Sequence, residues 1–446
     1  MDILMKAAQL ILSLSILIVL HEFGHFIPAR LFKIRVEKFY LFFDAWFSLF
    51  KKKIGDTEWG IGWLPLGGYV KIAGMVDESM DKEQLAKPPQ PDEFRAKPAW
   101  QRLIVMVGGV TVNVIVGFFI YIMIIFGYGE SKITNEGLTH GLSIHPALAE
   151  LNLNFRDGDK ILSVEGEEFS GLKALLPQIW LRGYRELEVL HEDGTTEKIT
   201  LPNQVEGEDL DRWMFQNDAV RLFTPRVLTI VDTLSPDGNA IKSDIQKGDR
   251  LIAINGTNYN FYNEFAQELR SRKDTTVEIT LIREGDTLTK SVATDTNGTI
   301  GFYNDLAGQI KIETQSYSFG ESISKGIAKG GWTMHDYFVQ LKFIFTKKGA
   351  SSMGGFGTIG SLFPTTWDWQ VFWGNTAFIS FVLAIMNILP IPALDGGHVT
   401  FLIYEIITGR EAPQKVLEYA QLVGFVLILS LLIYANGNDI YNFIIK

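Results

Sequence analysis

No cysteine occurs in this chain of 446 residues. Disulfides, thiolate nucleophiles and every cysteine-based zinc site are excluded by that one absence. A basic surplus is missing as well. The chain has 41 Lys and Arg against 51 Asp and Glu, a net charge of -10. No excess of cations is left to neutralise phosphates, so nucleic acid is excluded as a partner. Charged residues make up only 21%, against 47% hydrophobic and 12% aromatic, and the mean hydropathy is +0.12. That balance is too apolar for an ordinary soluble enzyme and too charged for a pure membrane bundle. The length suggests roughly two to four domains of mixed kind.

Four apolar runs are present: Leu4 to Leu31, Leu103 to Tyr128, Phe372 to Leu389 and Val416 to Tyr434. Each is near the roughly 20 residues needed to cross a bilayer. The first has no small-residue cleavage pattern, so it is expected to stay in the protein. Loop Lys and Arg set the orientation. Arg30, Lys33, Arg35, Lys38, Lys51-Lys52-Lys53, Arg95, Lys97 and Arg102 cluster after the first run, and Arg410 and Lys415 lie between the last two. These loops are expected to face the cytoplasm. Both chain ends and the region from about 129 to 370 then lie outside it.

Inside the first run stands His21-Glu22-Phe23-Gly24-His25. Two His at i and i+4 share one helix face, with a Glu beside the first. Ionisable residues at such depth cost a few kcal/mol each on insertion scales, and metal binding supplies the reason. The imidazoles of His21 and His25 are candidate zinc ligands, and Glu22 is the candidate base that moves the proton of the attacking water to the leaving amine. A catalytic zinc takes a third protein ligand and leaves one position open. Asp395, in Asn387-Ile388-Leu389-Pro390-Ile391-Pro392-Ala393-Leu394-Asp395-Gly396-Gly397, closes the third run at the matching depth. The prolines break the helix there, which membrane depth tolerates only beside protein or a wet cavity. His398, three residues on, competes for the same role.

The middle of the chain matches itself. Gly158-Asp159-Lys160-Ile161-Leu162-Ser163-Val164-Glu165-Gly166 parallels Gly248-Asp249-Arg250-Leu251-Ile252-Ala253-Ile254-Asn255-Gly256, and Leu187 to Leu190 parallels Val277 to Thr280. Each reads as turn, strand and turn, so tandem domains are expected. The pattern resembles the PDZ fold of bacterial proteases, which can capture peptides by strand addition. Trp59–Met75, rich in Gly, aromatic and β-branched residues, reads as strands, and aromatic Phe39–Phe50 as an interfacial anchor.

As a whole the chain resembles the site-2 protease family of intramembrane zinc metalloproteases, in its bacterial regulator-of-sigma-E branch with tandem PDZ domains. The resemblance rests on His21 to His25, on Asn387 to Gly397 and on Leu64-Pro65-Leu66-Gly67-Gly68-Tyr69-Val70-Lys71. It implies zinc held by His21, His25 and Asp395, Glu22 as base, and Asn387 touching the substrate backbone. It also implies that Trp59–Met75 dips into the membrane, where its edge could pair with an unwound substrate. Implied partners are single-pass membrane proteins in the bilayer: anti-sigma factors already shortened outside, remnant signal peptides, and peptides in the PDZ-like grooves. The PDZ pair would admit only trimmed substrates. Two stretches depart from the family: Gly108-Gly109-Val110-Thr111-Val112-Asn113 lacks a Gly-Pro pair, and Met353 to Gly360 lacks the proline of Gly-Pro-Ile. The first is read as helix packing, with Asn113 near the site.

The expected fold class is an integral membrane α-helical protein with four transmembrane helices, a membrane-associated β element and two extracytoplasmic PDZ-like α/β domains. In order these are a helix over 1–31, a cytoplasmic-side loop with strands over 32–102, a helix over 103–128, and PDZ-like domains over 129–215 and 216–312. An amphipathic surface helix and connector over 313–371 follow, then a helix over 372–395 with a broken end, a cytoplasmic loop over 396–415, a helix over 416–435 and a tail over 436–446. Residues 77–98, with Pro88, Pro89 and Pro91 among charges, are read as a mobile loop. Two other classes fit parts of the pattern. A proton- or ion-coupled transporter would use His21, Glu22 and His25 as a relay, and an inactive PDZ scaffold would use only the middle. The first leaves the His spacing and Asp395 unexplained, and the intact Glu22 argues against the second. A bacterial inner membrane is the expected location.

Overall fold

The computed structural model describes residues 2–75, 88–216 and 222–445. It divides into two compact units, Met1–Gly129 with Ser316–Lys446, and Glu130–Gln315. The part of the expected mobile loop at 77–87 lies outside the described residues.

The first unit opens with helix α1 (Asp2–Leu31) and closes its first half with α2 (Ala99–Tyr128). Both are predominantly apolar along their length, as suits helices that cross a bilayer. They touch backbone to backbone: a Cβ on Gly24 or on Gly108 would run into the carbonyl of the other. Small residues buy such approach in membrane helices. Between them, strands β1 (Val36–Ile54) and β2 (Thr57–Ile72) pair antiparallel. β1 bends back where Phe42 and Trp46 take left-handed φ values of 68° and 69°. Residues 36–43 then pair with 64–72, residues 38–41 also with 58–61, and 48–54 with 57–62. Among the described residues this leaves 64–72 as an edge.

The second unit contains two four-stranded sheets of one topology. The first is β6-β5-β7-β8, where β5 is Lys160–Val164, β6 Glu167–Glu168, β7 Glu186–Leu190 and β8 Thr196–Thr200. It follows β3 (Glu130–Lys132) and β4 (Leu142–Ile144), and helix α3 (Leu172–Trp180) packs on it. Helix α4 (Leu210–Gln216) and strand β9 (Phe223–Pro225) complete this half, β9 pairing with β4. In the structure the half expected over 129–215 runs to about 225. Leu222 and Phe223 are buried in the first core, and the first half needs them. The second half runs β10 (Val231–Leu234), β11 (Arg250–Ile254), β12 (Thr257–Asn258), α5 (Tyr262–Ser271), β13 (Thr276–Arg283), β14 (Asp286–Ala293) and β15 (Phe302–Asn304). Its sheet order is β12-β11-β13-β14, and β15 pairs with β10. Strand β16 (Glu313–Gln315) returns to pair with β3.

Back in the first unit, Ser318 and Glu321 form a reciprocal cap that starts α6 (Phe319–Gln340). Phe319 meets Phe126, while Gly326 and Gly330 leave room for Ile122 and Phe118. These contacts step down α2, so α6, expected as an amphipathic surface helix, runs alongside that helix. Helix α7 (Phe356–Ser361) follows, then α8 (Trp369–Ile388), α9 (Asp395–Thr408) and α10 (Gln414–Ile445). The stretch expected as a loop over 396–415 is thus mostly helix. Val399 and Leu402 supply the apolar face, buried with Val105 and Met106 of α2. The segment before α7, which lacks the family's proline, is tied instead to α10: Asp439 Oδ2 accepts the N–H groups of Gly355 and Thr358, each at 3.0 Å. Among the described residues α1, α2, α8 and α10 are long and apolar enough to cross a membrane.

Candidate metal centre

Helical spacing sets His21 and His25 on one face of α1, with their Nε2 atoms 3.2 Å apart. The third member comes from the broken backbone after α8. Pro390 and Pro392 cannot continue that helix. Ala393 turns with a left-handed φ of 80°, and α9 begins at Asp395. Gly396 and Gly397 are required by close approach: a Cβ on Gly397 would stand 2.7 Å from the Ile391 carbonyl, and one on Gly396 would collide with that of Leu389. The turn therefore folds tightly on itself and aims the carboxylate at α1.

Asp395 Oδ2 lies 3.2 Å from His21 Nε2 and 3.3 Å from His25 Nε2. Four-coordinate zinc with bonds of about 2.0–2.1 Å spaces its ligand atoms about 3.3–3.4 Å apart. The three donors thus form a triangle of the size of one face of such a site. Asp395 Oδ2 is also buried without a hydrogen-bond partner, which is costly unless a cation takes it up. Among the described residues, these three are the group of donors able to hold a metal ion. His398 lines the same cavity but stands outside that group.

Glu22 is buried beside the first His and faces the same cavity of about 900 Å³. The edge strand of β2 forms another wall through Leu64, Gly68, Tyr69 and Val70. Gly68 brings it against α1, since an added Cβ there would stand 3.7 Å from Glu22 Cγ. Asn387 Nδ2 is 3.4 Å from His21 Nε2. The structure therefore brings His21, Glu22, His25, Asn387 and Asp395 to one place.

Two contributions escaped the reading of the sequence. α10 supplies Gln421 and Phe425 to the cavity, and β1 supplies Lys38 and Asp44. Asp44 Oδ1 accepts the Tyr69 hydroxyl at 2.9 Å, and Lys38 Nζ lies 3.4 Å from Asp44 Oδ2. The bends at Phe42 and Trp46 turn Asp44 inward, and no spacing pattern announces them.

The model of Peptidase family M50 matches residues 9–431. The chain belongs to Peptidase family M50. A candidate zinc metalloprotease of Vibrio cholerae is 26% identical over 467 residues, covering 98% of this chain and 99% of the relative. The regulator of sigma-E protease of Escherichia coli is 26% identical over 471 residues, with the same coverage of 98% and 99%. That of Haemophilus influenzae is 25% identical over 475 residues, again with 98% and 99%. The M50 match begins in α1 before the histidines and ends in α10, so it spans both units.

Proposed function

We propose that this M50 peptidase cuts peptide bonds within or beside the membrane segments of single-pass proteins, with zinc held by His21, His25 and Asp395 and with Glu22 as the base. At the coarser level the chain is a zinc metalloprotease of the inner membrane that acts on membrane proteins in the bilayer. The observation that carries the residue assignment is the triangle of two imidazole nitrogens and a carboxylate oxygen, 3.2–3.3 Å on a side, with a buried Glu in the same cavity.

A zinc ion held by His21, His25 and Asp395 would supply an acidified water and a Lewis acid for the scissile carbonyl. Glu22 takes the proton of the attacking water and delivers it to the leaving amine. A substrate helix hides its peptide bonds, so the segment to be cut has to be extended first. The edge strand at 64–72 is where such an extended segment would add, as in other strand-addition complexes. Asn387, 3.4 Å from His21 Nε2, would hold the substrate backbone by its carboxamide. Loop charges support the orientation given above, with the site near the cytoplasmic face. Membrane-bound anti-sigma factors after a first outer cut, and remnant signal peptides, are the proposed substrates. The two sheets of the second unit are read as PDZ-like modules that admit trimmed ectodomains. A cavity of about 460 Å³ between α5 and the start of β15 supports a peptide site in the second.

The test is Glu22→Gln, purified beside the parent protein in detergent, with bound zinc and cleavage of a model transmembrane substrate both measured. About one zinc per chain is expected in each, and a rate lower by about a hundred- to ten-thousand-fold in the variant. Undiminished cutting would sink the assignment of the base, and a zinc-free parent would sink the metal site.

A further inference from the structure

The direction in which two imidazoles present Nε2 dictates what their other nitrogens must do. A ring that offers the Nε2 lone pair carries its hydrogen on Nδ1, and that hydrogen needs an acceptor. For His25 the acceptor is the Val105 carbonyl, 2.8 Å from Nδ1 and buried. For His21 the group facing Nδ1 is the carboxamide of Asn113, whose nitrogen end lies 3.2 Å away. Asn113 is wholly buried, and its Oδ1 has no hydrogen-bond partner. The two ends of a carboxamide have nearly the same shape, and a half turn exchanges them. After that turn Oδ1 faces Nδ1 and accepts its hydrogen, leaving Nε2 free for a metal.

Val105, Gly109 and Asn113 follow one another at four-residue intervals, so they lie on one face of α2. Gly109 is the bare position between the two acceptors. A Cβ there would stand 2.6 Å from His21 Cε1 and collide with the His25 ring. The backbone at Asn113 is itself pinned, because Ser380 Oγ of α8 donates to the Asn113 carbonyl at 2.7 Å. One helix face thus carries an acceptor, a gap for two rings, and a second acceptor.

We propose that Asn113 is a positioning residue for the metal centre: its Oδ1 accepts the His21 Nδ1 hydrogen, fixing tautomer and ring direction, and α2 serves as the template for both imidazoles. The proposal rests on the reading of His21 and His25 as zinc ligands. It differs from simple helix packing in what it demands of residue 113, namely an acceptor rather than a certain bulk.

Zinc affinity of the full-length protein in detergent, measured by competition with a chromogenic chelator, tests it without reference to cleavage. Asn113→Leu, close in volume but unable to accept, is expected to bind zinc about 10- to 100-fold more weakly. Asn113→Asp, whose carboxylate can accept but not donate when ionised, is expected to bind zinc at least as tightly as the parent. Parent-like affinity in the folded Leu variant would overturn the proposal. Weakening of ten-fold or more in the Asp variant would also overturn it, because the amide would then be needed as a donor. Should the Leu variant fail to fold, Asn113→Ala, which also lacks an acceptor, takes its place against the Asp variant, and parent-like affinity in it would overturn the proposal. His21→Ala separates the two layers of the argument. Zinc retained at parent affinity there would sink the ligand assignment, and this proposal with it. Zinc lost there but unaffected in Asn113→Leu would sink this proposal alone.

Discussion

Each compact unit sets aspartates beside basic side chains, and the two units leave those carboxylates in opposite states. In the second unit Asp159 is closed off: Oδ1 is 2.8 Å from His191 Nδ1, and Oδ2 accepts the backbone N–H of Arg156 at 2.7 Å. At the matching place in the other sheet, Asp249 accepts from Arg283 with both oxygens at 2.8 Å and from the Gln246 N–H at 2.8 Å. In the membrane unit, Asp395 Oδ2 stands among imidazole nitrogens without a hydrogen bond. A clamp occupies the lone pairs of its carboxylate, whereas a metal site keeps several aimed at one point. Nearness of His to Asp is therefore not the signature of a metal site. Convergence of several ligand atoms on one point is.

The strongest way to break this comparison is to remove each carboxylate in turn and count zinc. Asp395→Ala is expected to drop bound zinc from about one per chain to near none and to abolish cleavage, since a three-ligand site loses a charged member. Asp159→Ala is expected to keep its zinc while loosening the first sheet of the other unit. Metal analysis of both purified proteins decides. Full zinc in Asp395→Ala would remove Asp395 from the ligand set, and a zinc-free Asp159→Ala with folded membrane helices would erase the distinction between the groups.

A second change probes the clamp that carries a permanent charge. Arg283→Ala leaves the Asp249 carboxylate buried, its side chain only 1% exposed, without its guanidinium. Removing the guanidinium leaves the buried carboxylate without its counter-charge, which destabilises the sheet. Amide hydrogen exchange across 250–293 of the full-length protein is expected to quicken by about two orders of magnitude. Unchanged protection there would mean that the pair adds nothing to the sheet.

How far such groups can be read in advance depends on where their members lie. His21 and His25 were legible because four-residue spacing inside an apolar run is rare, and Asp395 because Pro390 and Pro392 must end α8 near the same depth. The matching turns at Gly158 and Gly248 made the two sheets legible too. The end of the first half was not, because β9 finds its partner β4 some eighty residues earlier, and only burial of Leu222 and Phe223 assigns it. α9 was hidden by Gly396-Gly397, which read locally as a turn although both glycines serve close backbone approach. Asp44 was hidden by bends at Phe42 and Trp46, residues that give no hint of left-handed φ. Local spacing was readable; contacts made through an unannounced bend or a distant strand were not.

The smallest expected effect separates the two clamps by pH. The hydrogen bond with Asp159 raises the pKa of His191 above its ordinary value, against the opposing pull of burial, and Glu197 at 3.4 Å adds to the rise. A folded pKa above the unfolded value of about 6.5 means that the protonated ring stabilises the fold. That contribution is complete below about pH 6.5 and is lost as pH rises through the folded value. Arg283 stays charged throughout, so Asp249 keeps its partner. Hydrogen exchange of the full-length protein between about pH 6 and 9, corrected for intrinsic rates, should show 160–200 losing protection while 250–293 holds. His191→Gln is expected to flatten the difference, because a carboxamide does not titrate in this range. Parallel loss in both sheets, or a difference that survives the substitution, would place the pH response elsewhere and leave the two clamps alike.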